Sequence, residues 1–310
     1  MKRFKNILLV NKGGSDQTWA LARGVALAEK NQAELSVIEI IPALPEELQE
    51  ETIASIFTEL KVLTEPYRQR LNIHLDVRMG KEFLEVIRAV LRRSHDLVIT
   101  VAESPDFVQR LFGSSDMHLL RKCPCPLWLM KPAEERHYQN ILAAVDFNPH
   151  QPDPEALALN RQIVELAASL ALGDGATLHL VHAWHAFGER AIQSRGDTIG
   201  KKLAGYAEKE LQLHQNGLRQ LGTLLRDALA TDGYSSLLPQ FHLLKGAPQR
   251  LIPQLAVDLH ADLLVMGTVA RTGIMGVLIG NTAETILDQL NCSVLAVKPE
   301  GFVTPVTLPK

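Results

Sequence analysis

The chain has 310 residues, 46% hydrophobic and 22% charged, with a formal net charge of −3 and a sequence pI near 6.4. At roughly 100–200 residues per domain this is room for about two domains, each with a core that needs no metal or disulfide staple. The balance excludes the basic face that nucleic-acid binding requires, and no stretch approaches the ~18 apolar residues of a membrane helix. The three cysteines, Cys123, Cys125 and Cys292, are an odd and sparse set, which fits reduced thiols in a cytoplasmic protein.

The basic start, residues 1–6, leads into a short apolar run that is too brief for a secretion signal and reads as a first strand. Lys12-Gly13-Gly14-Ser15-Asp16-Gln17 follows. It is similar to the Ser-Gly-Gly-x-Asp-Ser loop of the ATP-pyrophosphatases but lacks the first and last serines, so a polar turn is the better reading. Segment 41–65 offers Ile41, Leu44, Leu48, Ile53, Ile56, Phe57, Leu60 and Leu63, either as core or as the lining for an apolar ligand. After Thr100-Val101 comes Ala102-Glu103-Ser104-Pro105-Asp106-Phe107, with no glycine before Gly113. Its two carboxylates would repel a triphosphate. Arg92-Arg93 and Arg121-Lys122 read as solvated helix ends. Cys123-Pro124-Cys125 is too short for Cys-x-x-Cys and has no second pair, so buried thiols are expected. Trp128 and Leu129 fall on a packed strand over 126–130.

Self-similarity decides the organisation. Without gaps, LLRKCPCPLWLMK (119–131) aligns with ILDQLNCSVLAVK (286–298), placing Cys125 on Cys292, Lys131 on Lys298 and Gly113 on Gly280. Residues 79–100 match 245–266, with Gly80 on Gly246 and Asp96 on Asp262, and NILLVN (6–11) matches NILAAVD (140–146). Two copies, 1–133 and 138–310, are joined by a charged, proline-containing linker. The second copy carries extra residues at 147–160 and 186–232.

The second copy alternates apolar runs with helical spacing. Strands are expected at 141–145, 176–184, 237–246, 261–267 and 293–298. Helices are expected at 160–172, 200–230, 248–260 and 281–290. Gly173-Asp174-Gly175 stops the first helix, and Pro253 predicts an irregularity in the third. In the long helical region Leu203, Tyr206, Leu211, Leu218, Leu221 and Leu225 are candidate buried positions. The alternation implies an α/β fold, a Rossmann-like parallel sheet of five strands in each copy covered by helices on both faces. Ligands of such sheets bind at the carboxyl ends of the strands. Asp146 follows the first strand there, and Gly267 follows the fourth.

Residues 266–284 read MGTVARTGIMGVLIGNTAE. A strand ends at Met266, the glycines Gly267, Gly273, Gly276 and Gly280 follow, and a helix starts at Asn281-Thr282. A glycine loop before a helix N-terminus can cradle phosphate, with Asn281 and Thr282 as donors and Arg271 as charge. The alternative is a glycine-rich turn that merely caps a helix. No Gly-Lys-Ser/Thr occurs, which disfavours a lysine-driven NTPase.

At this point the second copy resembles the universal stress proteins, whose nucleotide-binding members carry Gly-x2-Gly-x9-Gly-Ser/Thr. Here the match is Gly267, Ala270 and Gly280 followed by Asn281, so Ala270 replaces a glycine and Asn281 a hydroxyl residue. The family's acidic residue facing the nucleoside matches Asp146. The phrases HLLRKCPCPLW (118–128), GTVARTGI (267–274), GNTAE (280–284) and VKPEGFVTPV (297–306) extend the likeness to the tandem subgroup over essentially the whole chain. The resemblance implies a universal stress protein fold in each half and a role in stress survival. It also implies an adenine nucleotide of the ATP class, with or without magnesium, as ligand of the second copy. Asp146, Met266, Gly267, Ala270, Gly280, Asn281 and Thr282 are the expected contacts.

The first copy, stripped of the glycine loop, is not expected to bind nucleotide. An exposed apolar last strand needs a partner, so strand 126–130 is expected to pair with 293–298 as an internal pseudo-dimer, with a homodimer also open. His182 and His185 are read as a solvated strand end in preference to metal ligands. No nucleophile–base–orienter set and no metal-binding carboxylate cluster is visible. The readings left open are a nucleotide-responsive regulator, a binder of an apolar or lipid-like ligand through the first copy, and a slow ATPase.

Overall fold

The computed structural model describes residues 4–13, 17–103, 114–132, 137–186, 197–269 and 279–309; for 197–204 and 230–232 it describes the backbone alone. In chain order the elements begin with β1 (Asn6–Asn11), α1 (Thr18–Asn31), β2 (Glu34–Ile41), α2 (Glu46–Thr64), a 3-10 turn (Glu65–Tyr67), β3 (Ile73–Met79), α3 (Glu82–Arg93), β4 (Leu97–Val101), α4 (Ser114–Lys122) and β5 (Leu127–Met130). They continue with β6 (Asn140–Ala144), α5 (Pro154–Asp174), β7 (Thr177–Trp184), α6 (Asp197–Leu237), β8 (Gln240–Lys245), α7 (Pro248–Asp258), β9 (Leu263–Gly267), α8 (Asn281–Leu287) and β10 (Ser293–Val297).

The chain packs as two units, Met1–His137 with Thr268–Lys310, and Tyr138–Gly267. In the first unit the strands run in the order β3-β2-β1-β4-β5-β10. β1 to β5 are parallel, and β10 is antiparallel to β5 through Val294↔Leu129, Leu295↔Trp128 and Ala296↔Leu127. An apolar strand such as Leu127–Met130 would otherwise expose a row of unpaired amides, and β10 covers it. In the second unit the order is β9-β6-β7-β8, all parallel. β4, β5 and β10 are buried at every residue, β1 at all but its two ends and β6 at all but its first residue. This is why they read as continuous apolar runs and not as alternating ones.

The repeat is visible in matching hydrogen bonds. The Asp96 carboxylate accepts the amides of Lys5 and Asn6 (2.7 and 3.1 Å), and that of Asp262 accepts Gln139 and Asn140 (2.6 and 2.8 Å). The Gly80 amide donates to Ile41, and the Gly246 amide to Trp184, both at 2.9 Å. Both glycines have φ near +145° (147° and 144°), a region that L side chains rarely enter.

Local chemistry sets the ends of α5. Asp153 caps it by accepting the Glu155 amide, Pro154 stands in its first turn, and Gly175 closes it at φ 71°. The helix therefore begins within the Asn/Pro/Asp-rich insertion, six residues ahead of the periodic segment. α7 runs continuously from Pro248 to Asp258 with Pro253 inside it. Of the positions expected to be buried on α6, Leu218, Leu221 and Leu225 are core, Tyr206 and Leu211 are half-buried, and the Leu203 side chain lies outside the described residues. No described helix is long and apolar enough to cross a membrane.

Candidate functional site

The carboxyl ends of β6, β7 and β9 hold the polar residues of the second unit. Asp146 lies just past β6 with an exposed side chain. Its backbone is fixed by Asn160 of α5, buried to 3% exposure. Asn160 Oδ1 accepts the Asp146 amide at 3.0 Å, and Asn160 Nδ2 donates to the Asp146 carbonyl at 2.8 Å. The preceding carbonyl, Val145, lies 3.1 Å from His182 Nδ1. That nitrogen must therefore carry the proton. In the neutral ring His182 Nε2 is then an acceptor, and His214 Nδ1 of α6 donates to it at 2.8 Å. Phe147 stacks on His182, with ring centroids 3.9 Å apart, and a Cβ on Gly217 of α6 would collide with the Phe147 ring. At the outer end His150 Nε2 meets the Glu210 carboxylate at 2.7 and 2.9 Å.

Burial lowers His214 to about 4, and the neighbouring His182 adds to the effect. His214 is therefore neutral at pH 7. His182 is a buried anchor of the strand end, not the solvated residue expected from sequence; only His185 is exposed. No group of three or more His, Cys, Asp or Glu able to hold a metal occurs among the described residues.

Met266 and Gly267 are the last two residues of β9. A Cβ on Gly267 would lie 3.0 Å from Leu159 Cδ2 and 3.7 Å from Ile163 Cδ1 of α5. This glycine therefore has a packing reason to be small. The base of the glycine loop belongs to the first unit: Val269 bridges Ile279, and the Gly280 amide donates to the Thr268 carbonyl at 3.1 Å. Gly280 is the residue before α8 and has φ −64°, so no left-handed backbone requires a glycine there. Asn281 and Thr282 open α8 as exposed residues. Ala270, Arg271, Gly273 and Gly276 lie outside the described residues.

In the first unit the corresponding strand end reverses the charge. The Asp96 amide bonds Asn6 and the Asp262 amide bonds Asn140, both at 2.9 Å, so Lys12 holds the place of Asp146 without a gap. Lys12 Nζ is 3.3 Å from Glu82 and 3.7 Å from Asp116, a fully buried carboxylate that also accepts the Glu103 amide at 2.8 Å. At this strand end a lysine held by two carboxylates stands where the second copy has Asp146. Of the neighbouring loop, Gly14, Ser15, Asp16 and Asp106 lie outside the described residues.

Sequence reasoning missed Asn160 and His214. Asn160 carried a faint signal, a polar residue between Leu159 and Ile163 on an apolar helix face. His214 carried none, because its partner comes from another element.

The universal stress protein family model matches residues 3–131 and 137–298. Universal stress protein E of Salmonella typhi is 33% identical over 74% of this chain and 69% of its own. The universal stress protein E homolog of Haemophilus influenzae is 28% identical over 96% and 98%. Among solved structures, one from Pseudomonas aeruginosa assigned to the universal stress proteins is 26% identical, covers 97% of this chain and 95% of its own, and has a TM-score of 0.73.

Proposed function

We propose that this chain, which belongs to the universal stress protein family, binds an adenine nucleotide of the ATP class through its C-terminal copy. It then serves as a nucleotide-responsive binding module of the stress response, not as a metabolic enzyme. The observation that carries the reading is Asp146. An exposed carboxylate at the carboxyl end of a parallel strand has its backbone held on both sides by a buried asparagine. Pre-positioned acceptors of this kind suit ribose hydroxyls or a base amino group, and they lose little freedom on binding. Met266 and Gly267 end the neighbouring strand β9. Ala270, Gly280, Asn281 and Thr282 continue the family's phosphate motif in sequence. Magnesium would be held by the nucleotide's own phosphates. The reversed charge at Lys12, Glu82 and Asp116 supports one nucleotide per chain, not two.

Thermal denaturation with and without nucleotide tests this. A ligand at about 100 times its Kd stabilises the folded state by about 2.7 kcal/mol, so millimolar ATP should raise Tm by several degrees. Unchanged melting with ATP, ADP and AMP alike would defeat the reading.

A second reading has one observation behind it. On α2 only Leu60 and Thr64 are buried, while Leu48 and Phe57 are 50% and 43% exposed and Ile53, Ile56 and Leu63 are half-buried, as is Leu44 just ahead of the helix. This helix keeps an open apolar face, as a binder of an apolar or lipid-like ligand would. Native mass spectrometry of freshly purified protein would show the added mass, and a clean apo mass would remove the reading.

A further inference from the structure

The turn between α4 and β5 carries chemistry that nucleotide binding does not use. Cys123 and Cys125 are both free thiols, and their sulfurs are 3.7 Å apart, in van der Waals contact and facing each other across Pro124. β10 runs antiparallel to β5, so the residue after β10, Lys298, arrives beside the start of β5, whereas Cys292 is carried to the opposite end. Lys298 is buried to 5% exposure. Its Nζ donates to the Leu120 carbonyl at 2.5 Å and to Thr268 Oγ1 at 2.7 Å. Among the described residues it has no carboxylate partner.

A buried ammonium without a counter-charge is costly, and burial lowers Lys298 to about 8. The nearby group that can supply negative charge is Cys123, whose thiol is pulled down by the Cys125 hydrogen bond and by Lys298, while that of Cys125 is pushed up by Cys123 and by burial. One thiol is thereby made the nucleophile and the other the proton-holding partner. That asymmetry is what a dithiol needs in order to be oxidised in two steps.

We infer that Cys123 and Cys125 form a redox-active dithiol, oxidised by a small hydroperoxide to an intramolecular disulfide, with Cys123 as the attacking sulfur. In the first step the Cys123 thiolate attacks one peroxide oxygen. An S–O bond forms, the O–O bond breaks, and the leaving alkoxide or hydroxide takes a proton, which Lys298 can supply. Cys123 is then a sulfenic acid. In the second step Cys125 gives up its proton and attacks that sulfur. The S–S bond forms, the S–O bond breaks, and water leaves. Two electrons pass from the sulfurs to the peroxide, and the products are disulfide, alcohol or water, and water. Cys123 has no exposure and Cys125 has 8%, flanked by half-exposed Lys122, Pro124 and Pro126. So little exposure excludes bulky disulfides as the oxidant and leaves only a small hydroperoxide to be considered.

The test treats the folded full-length chain with stoichiometric hydrogen peroxide, then unfolds it and alkylates every remaining thiol before intact-mass and peptide analysis. The expected product has lost two hydrogens between Cys123 and Cys125 and takes one alkyl group, on Cys292. The Cys125→Ser variant should stop at a Cys123 sulfenic acid, trapped by dimedone added together with the denaturant. Lys298→Met, checked for an unchanged melting profile, should react about tenfold more slowly as the thiolate fraction falls. Three alkylated cysteines in the peroxide-treated folded protein would overturn the inference, since the thiols would be buried and inert. Oxidation at Cys292 instead, or an unchanged rate in Lys298→Met, would overturn it equally.

Discussion

Replacing Asn160 by alanine is the sharpest perturbation of the proposed site that leaves Asp146 itself in place. The side chain is 3% exposed and makes two hydrogen bonds, at 3.0 and 2.8 Å, to the amide and carbonyl of one peptide neighbour, Asp146. A hydrogen bond contributes about 0.5–1.5 kcal/mol net, and a buried group left unpaired costs about 1–3 kcal/mol. Because the Asp146 side chain is exposed, water can reach part of the vacated peptide, so the lower half of that range applies and the total is about 2 kcal/mol. At about 2–4 °C per kcal/mol for a domain of this size, Tm should fall by about 4–8 °C. Nucleotide affinity should fall further than stability predicts, because Asp146 loses its fixed orientation. Asn160→Asp keeps the acceptor for the Asp146 amide but faces the carbonyl with a second oxygen, so it should be no better. Thermal denaturation and nucleotide titration of the two variants give both quantities. A Tm within a degree of the parent chain would refute the argument that Asn160 holds the strand end.

Three further outcomes are expected. Gly267→Val should destabilise by about 1–3 kcal/mol through overpacking, since its Cβ would sit 3.0 Å from Leu159; an unchanged urea midpoint would show that α5 yields freely. Burial holds His95 and His214 down to about 4 in the folded chain against an ordinary value near 6.5. The unfolded chain therefore binds more protons between those values, and stability should be flat above pH 6.5 and decline as pH falls toward 4. A urea midpoint equal at pH 7.5 and 5 would contradict this, and His214→Gln should flatten part of the slope. Glu284→Gln removes the part-exposed pair with Arg121 and should cost under about 1 kcal/mol; a larger loss on denaturation would mean that this pair works as more than a surface contact.

Much of the fold was legible because it is written twice. Asp96 and Asp262, or Gly80 and Gly246, stand at the same points of two copies and make the same hydrogen bonds. Helix ends were legible where glycine marks them, as at Gly175. They were not legible where Gln32, Ser94 and His260 take the left-handed conformation at φ 54°, 53° and 48°, because those residue types signal no stop. The packing units also depart from the sequence copies. α8 and β10 belong in sequence to the second copy but pack with the first unit, because β10 completes the edge of β5. At the candidate site Asp146 and Gly267 could be named from spacing alone. The supports could not, since Asn160–Asp146, His182–His214 and Lys298–Thr268 each join residues from different elements. Such pairs leave no local periodicity.

The measurement closest to the central claim is calorimetric titration of Mg-ATP into the intact chain and into its Asp146→Ala variant. The account predicts saturable binding near one site per chain, lost in the variant while its melting temperature stays near that of the parent. No heat of binding to the intact chain, or equal binding to both proteins, would contradict it.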